Sequence, residues 1–242
     1  MHPALQALML VSLGLLPSLL WLAFFLRNDC HPEPKDLIAR AFLMGIIISP
    51  LALAIQWVLF SAGQSLYGVG LSLTDPRFLF LSAFAEEAIK LGAVWFAILQ
   101  LPEFDEPVDG MIYLITAAMG FAAMENILVM FRAAESGAGL ALGTHLWFLR
   151  FAGATLLHGL ASALAGYFLA LAWFFSRHRT WLILTGLAAA TGFHFVFNVL
   201  IAQQTSGTLF PLIGLLIFLA FLVAILFVKI RERRQRTHVQ LA

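Results

Sequence analysis

Residues 78–99 read Phe78-Leu-Phe-Leu-Ser-Ala-Phe-Ala-Glu86-Glu87-Ala-Ile-Lys90-Leu-Gly-Ala-Val-Trp-Phe-Ala-Ile-Leu99. As a helix the run is long enough to cross a hydrocarbon core, which takes about 20 residues, yet Glu86, Glu87 and Lys90 sit near its middle. A charge at bilayer depth costs about 2.5–3.5 kcal/mol even on the most lenient insertion scale, so a span that keeps three must gather them into a protein-lined interior. The stretch therefore predicts both a membrane bundle and a polar site inside it.

Working outward, three more apolar runs carry polar groups near their middles: Glu125 and Asn126 in residues 110–131, His158 in 146–175, and His194 with Asn198 in 181–202. The whole chain of 242 residues is 62% hydrophobic and 11% charged, with a mean hydropathy of +0.93. That is too apolar for a soluble globular domain. The expected class is all-α, a polytopic transmembrane helical bundle of seven spans: residues 5–26, 37–61, 78–99, 110–131, 146–175, 181–202 and 209–230, followed by a basic tail, 231–242. Strands of a barrel would show short alternating segments instead. With no internal repeat and short connections, residues 1–242 read as one domain. The first span lacks Lys or Arg before it and a small-residue cleavage site after Leu26, so it is expected to be a retained helix and not a secretory signal.

Charge placement sets the expected orientation in the cell membrane. Arg27, Lys35 and Arg40, then Arg177 and Arg179, then Lys229, Arg231, Arg233, Arg234 and Arg236 fall on one side of a seven-span path, against Arg77 and Arg132 opposite. By the positive-inside rule the N-terminus is outside and the C-terminus cytoplasmic. The tail is an anchor facing anionic lipid, not an arm for nucleic acid. Cys30, a lone cysteine, allows no internal disulfide. The longest polar connections, with Pro32-Glu33-Pro34 and with Glu103-Phe-Asp-Glu-Pro-Val-Asp-Gly110, then lie on the cytoplasmic side.

Depth gives an independent test of whether the polar groups belong together. At about 1.5 Å per residue, Glu86 and Glu87 lie roughly 12–14 Å below the outer end of their span, Glu125 roughly 9 Å, His194 about 12 Å and Asn198 about 6 Å. Spans that alternate in direction thus bring these groups into one leaflet, the expectation for a shared cavity open to the outside. Small residues on the fourth span (Ala117, Ala118, Gly120, Ala122, Ala123) and the fifth (Gly159, Ser162, Ala163, Gly166) would let the helices approach closely.

The spacings carry chemistry. Lys90 lies i+4 from Glu86 and i+3 from Glu87, so it can face both carboxylates; one can accept a proton while the other is held by the ammonium. Glu125 and Asn126 set a third carboxylate beside an amide. His194 and Asn198 share a helix face, where an imidazole and an amide can stabilise charge developing on one oxygen. His158 and Ser162 form a second i,i+4 pair. His145 and Arg150 are expected at the interface, and His31, His178 and His238 in loops or the tail.

Glu86-Glu87-x-x-Lys90, Phe121-x-x-x-Glu125-Asn126, a histidine on the fifth span and His194-x-x-x-Asn198, in this order on successive helices, resemble the PrsW family of intramembrane proteases, part of a glutamate-type group that includes the prenyl-protein (CAAX) endopeptidases. The resemblance extends to Pro32-Glu33-Pro34 and Glu103 to Gly110. It implies a bacterial inner-membrane enzyme of regulated proteolysis that hydrolyses a peptide bond with glutamate-activated water. The catalytic set so implied is Glu86 as base, Glu87 and Lys90 tuning it, Glu125, Asn126 and His158 beside them, and His194 with Asn198 polarising the carbonyl. The implied partner is a single-pass membrane protein in the lipid bilayer, by family an anti-sigma factor cut at a first site. Glu125 stands where the prenyl-protein enzymes place a histidine, so their water-activating pair does not transfer directly. No cofactor is expected; the minority alternative is Zn²⁺, with Glu87, Glu125, His158 and His194 as ligands. A proton-coupled carrier, which also holds ionisable groups at depth, and a silent scaffold are the rival functions.

Overall fold

A computed structural model describes residues 2–67, 71–137, 139–175, 178–203 and 206–241. Among these every regular element is helical: α1 Pro3–Leu26, α2 Lys35–Tyr67, α3 Pro76–Ala97, α4 Asp109–Glu135, α5 Leu140–Leu149, α6 Leu156–Phe174, α7 Arg179–Gln203 and α8 Leu209–Leu241. A π-helical turn, Arg150–Thr155, joins α5 to α6 into one rod, and a 3-10 turn, Ser206–Thr208, precedes α8. Arg177 and Ala242 lie outside the described residues, as do the side chains of Arg234, Arg236 and His238.

Six of the seven rods are long and apolar enough to cross a membrane: Pro3–Leu26, Lys35–Leu66, Asp109–Glu135, Leu142–Phe174, Arg179–Gln203 and Leu209–Arg233. The exception is α3, because every eighteen-residue window in it contains Glu86, Glu87 and Lys90. Its 22 residues still give a length of about 33 Å at the α-helical rise. The fifth rod starts earlier than residue 146, and helix α8 runs through the basic segment that the sequence suggested was a separate tail.

The core is built around α4, which packs against α1, α2 and α6. From Asp109 to Ala123 it is buried on every side, the pattern of a helix surrounded by others. Its approach to α2 is backbone to backbone. A Cβ on Gly120 would stand 1.9 Å from the Phe42 carbonyl oxygen, and one on Gly45 2.0 Å from that of Ala117. This small-residue contact brings two helices together without a layer of side chains between them.

Backbone groups freed by irregularities find partners, as a membrane interior requires. Pro17 lacks the N–H that would bond the carbonyl of residue 13, and the Trp147 indole donates to Leu13 O instead, at 2.9 Å. In the π turn the Phe151 carbonyl accepts from the Trp21 indole at 2.8 Å, and Phe151 stacks between Trp21 and Trp147 with centroids 5.6 and 5.4 Å away. Helix α3 begins on Asp75, whose carboxylate caps the Arg77 N–H at 2.9 Å ahead of Pro76. The Arg77 guanidinium and N–H hold that carboxyl down at about 2.

Candidate active site

Helices α3, α4, α6 and α7 meet at the level of their polar residues. On α3, Glu86, Glu87 and Lys90 are all buried, Lys90 completely. Lys90 Nζ donates to Glu87 Oε1 at 2.7 Å, the i,i+3 pair, and across the interface to His158 Nδ1 of α6 at 2.8 Å. An ammonium has only hydrogens to give, so Nδ1 of His158 is the acceptor and Nε2 carries the ring proton. Nε2 then donates to Glu125 Oε2 on α4 at 3.0 Å. Behind Lys90 lies the Phe121 ring, 4.6 Å from Nζ to centroid.

His194 of α7 completes the cluster. Its Nδ1 donates to Glu87 Oε1 at 2.8 Å, and its Nε2 stands 3.7 Å from Glu86 Oε2. The two imidazoles meet edge to face, 5.0 Å apart. Ser162 donates to the second oxygen of Glu87 at 3.4 Å. Glu86 Oε1 accepts from Gln56 Nε2 of α2 at 2.7 Å, whereas Glu86 Oε2 is buried with no hydrogen-bond partner. A buried acceptor left unmade costs about 1–3 kcal/mol, so this oxygen and the facing His194 Nε2 mark where the cluster is incomplete.

Two side chains that hold the cluster carry no signal in the sequence. Gln56 is a lone amide on an apolar helix. Arg150, expected at the interface, turns inward instead: Nη2 donates to Glu125 Oε2 at 3.0 Å and Nε to Asn126 Oδ1. Asn126 in turn donates to Thr155 Oγ1 at 3.0 Å. Both ends of the π turn are thus tied to one amide of α4, and the widened turn aims the guanidinium inward; such turns recur at functional sites. Asn198, one turn beyond His194, is half-buried and makes no side-chain hydrogen bond to another described residue. An apolar cavity of about 510 Å³ lies between the N-terminal half of α1, the C-terminal end of α4 and α5, lined by Leu10, Leu13, Met130, Gly143, Trp147 and Phe148 among others.

The metal candidates regroup. Glu86, His158 and His194 each offer a ligand atom, all within 4.8 Å of one another. Glu87 and Glu125, expected as ligands from the sequence, are outside that group; the first is held by Lys90 and His194, the second by Arg150 and His158.

The sequence model of the PrsW family, described as "PrsW family intramembrane metalloprotease", matches residues 33–227. The chain belongs to the PrsW family of intramembrane proteases. Protease PrsW of Geobacillus kaustophilus is 29% identical over 200 residues, 82% of this chain and 82% of its own. Protease PrsW of Halalkalibacterium halodurans is 25% identical over 231 residues, covering 94% and 99%, and that of Bacillus subtilis 30% over 125 residues, covering 50% and 53%. No solved structure matches the chain at significance. As a PrsW-family protein it is a membrane protease, and its substrate is a protein in the same lipid environment.

Proposed function

We propose that the chain cleaves a membrane-anchored, single-pass protein by activating water between Glu86 and His194. The observation that carries this reading is the buried, unpartnered Glu86 Oε2 facing His194 Nε2 at 3.7 Å, beside a Glu87 whose two carboxylate oxygens are both held. In this reading Glu86 takes a proton from water as the oxygen attacks the scissile carbonyl, and returns it to the leaving amine. With its Nδ1–H held by Glu87, His194 presents Nε2 as an acceptor and orients the water. The oxyanion then falls to the free Asn198 amide, a donor of the kind worth about 10²–10³-fold in turnover. Lys90 and Glu87 fix the His194 and His158 tautomers, and Arg150 holds Glu125 behind His158. Charge balance supports the reading: Glu86, Glu87 and Glu125 face the two fixed cations Lys90 and Arg150, which leaves one buried negative charge for a proton to neutralise.

A second reading rests on the Glu86, His158 and His194 group and on the metalloprotease description of the family. Two imidazoles and a carboxylate are a Zn²⁺ donor set. Glu86 Oε2 and His194 Nε2 are free to serve; His158 would release Lys90 or Glu125 to offer a nitrogen. Bound there, Zn²⁺ would acidify a water and polarise the carbonyl.

The proposed substrate class is an anti-sigma factor cut first near the outer face, with the N-terminus of the protease outside and its C-terminus in the cytoplasm. The test is cleavage of a single-pass substrate in proteoliposomes before and after chelator dialysis. Chelator-resistant cleavage supports glutamate-activated water; loss restored by Zn²⁺ replaces it with the metal reading. An ion flux without cleavage would make the protein a carrier.

A further inference from the structure

One row along α2 is made of small, buried residues, Ala41, Gly45, Ser49 and Ala52, while Leu43, Ile47, Leu51, Trp57 and Val58 are exposed. This row lets α2 lie on the backbone of α4 at Gly45. Gln56 continues it one turn further on, half-buried. Counting ten residues at the helical rise, it lies about 15 Å from Leu66 and so at membrane depth. An amide there must find a partner within the protein. It reaches across to α3, where its Nε2 donates to Glu86 Oε1 at 2.7 Å.

The two adjacent glutamates of α3 are held in different ways. Both oxygens of Glu87 are occupied, Oε1 by Lys90 and His194 and Oε2 by Ser162. Glu86 accepts one side-chain hydrogen bond among the described residues, and its donor is the neutral amide of Gln56. An ammonium in that place would pair with the charge, as Lys90 does with Glu87. An amide grips one oxygen and leaves the charge in place. The last torsion of a glutamate is broad and roughly two-fold, so an unheld carboxylate could turn either oxygen toward His194. With Oε1 taken, Oε2 is the oxygen left facing His194 Nε2, at 3.7 Å.

We infer that Gln56 is a positioning residue of the proteolytic reaction, whose amide fixes the rotation of the Glu86 carboxylate so that Oε2 is its working oxygen. The inference rests on the reading of Glu86 as the base. It brings a fifth helix, α2, into the machinery, and makes the small-residue contact of α2 with α4 the element that sets where the amide stands. Gln56 acts through Glu86 and not on the substrate, so its loss should appear in kcat and not in KM.

The experiment compares wild-type protein with Gln56→Met, Glu86→Gln and the double variant, cleaving a single-pass substrate in proteoliposomes, with rates counted per folded protein. Methionine keeps the length of the side chain and removes the donor. Gln56→Met should lower kcat by about 10–10²-fold, the worth of a hydrogen bond to a charged group, with KM unchanged. The double variant should be no slower than Glu86→Gln alone, because residues acting as one unit are not additive. A side chain that only packs would leave kcat intact in Gln56→Met. Wild-type kcat in Gln56→Met beside an inactive Glu86→Gln overturns the proposal and leaves the base assignment standing. A raised KM at intact kcat also overturns it, since Gln56 would then bind substrate, and so do losses that multiply in the double variant. Undiminished cleavage by Glu86→Gln removes the base itself, a failure separate from that of Gln56. Where Gln56→Met does not fold, Gln56→Asn, an amide one methylene too short to reach Glu86, repeats the kcat and KM comparison with the same expected result.

Discussion

Lys90 is fully buried in α3 and gives its hydrogens to Glu87 and His158. Removing one partner of a buried ion pair leaves an uncompensated charge and costs about 3–5 kcal/mol. Lys90→Met should therefore lower the thermal midpoint sharply in detergent, and adding Glu87→Gln should recover part of the loss; equal midpoints for the single and double variants would contradict the pairing. Asn198 presents the opposite case. Its side chain makes no hydrogen bond to another described residue, so Asn198→Ala should leave the midpoint unchanged while cutting turnover by about 10²–10³-fold if its amide serves the oxyanion. A loss of stability with turnover intact would remove it from the reaction.

At the scale of elements, the contact of α2 with α4 depends on the absence of a side chain. Gly120→Ala puts a Cβ 1.9 Å from the Phe42 carbonyl oxygen, which backbone cannot accommodate in place. It should destabilise by at least the about 1–3 kcal/mol of an overpacked core. Gly92→Ala in α3 meets nothing within 4 Å and should instead stabilise by about 0.5–1 kcal/mol through helix propensity. Thermal unfolding of the two variants side by side checks both signs. The helices themselves were legible in the sequence, since apolar runs of sufficient length leave little choice in a bilayer, and the i,i+3 and i,i+4 spacings showed which polar groups share a face. Which faces meet was not legible. Nothing in Arg150-Phe-Ala-Gly-Ala-Thr155 marks a π turn, so the inward aim of Arg150 was hidden, and Gln56 reads as a tolerated amide until α2 is laid against α3. Gly120 announced a close contact without naming Gly45 as its partner.

For the whole molecule, the distribution of Lys and Arg predicts a cytoplasmic C-terminus. A reporter active only in the cytoplasm and fused after Ala242 should give signal; silence in a well-expressed fusion would invert the bundle and place the polar cluster in the inner leaflet. The family makes the chain a membrane protease, and the fold gathers the buried polar cluster from α3, α4, α6 and α7, so none of these helices holds the cluster alone. The central proposal is that this shared cluster is hydrolytic and that Glu86 is its base. Glu86→Gln keeps the shape and the amide partner Gln56 can still be met, while basicity is lost. The most direct test measures product from a single-pass substrate in proteoliposomes containing folded wild-type or Glu86→Gln protein. Turnover should fall by about 10²–10⁴-fold, the usual cost of losing a general base; undiminished cleavage by the Glu86→Gln protein would contradict the assignment.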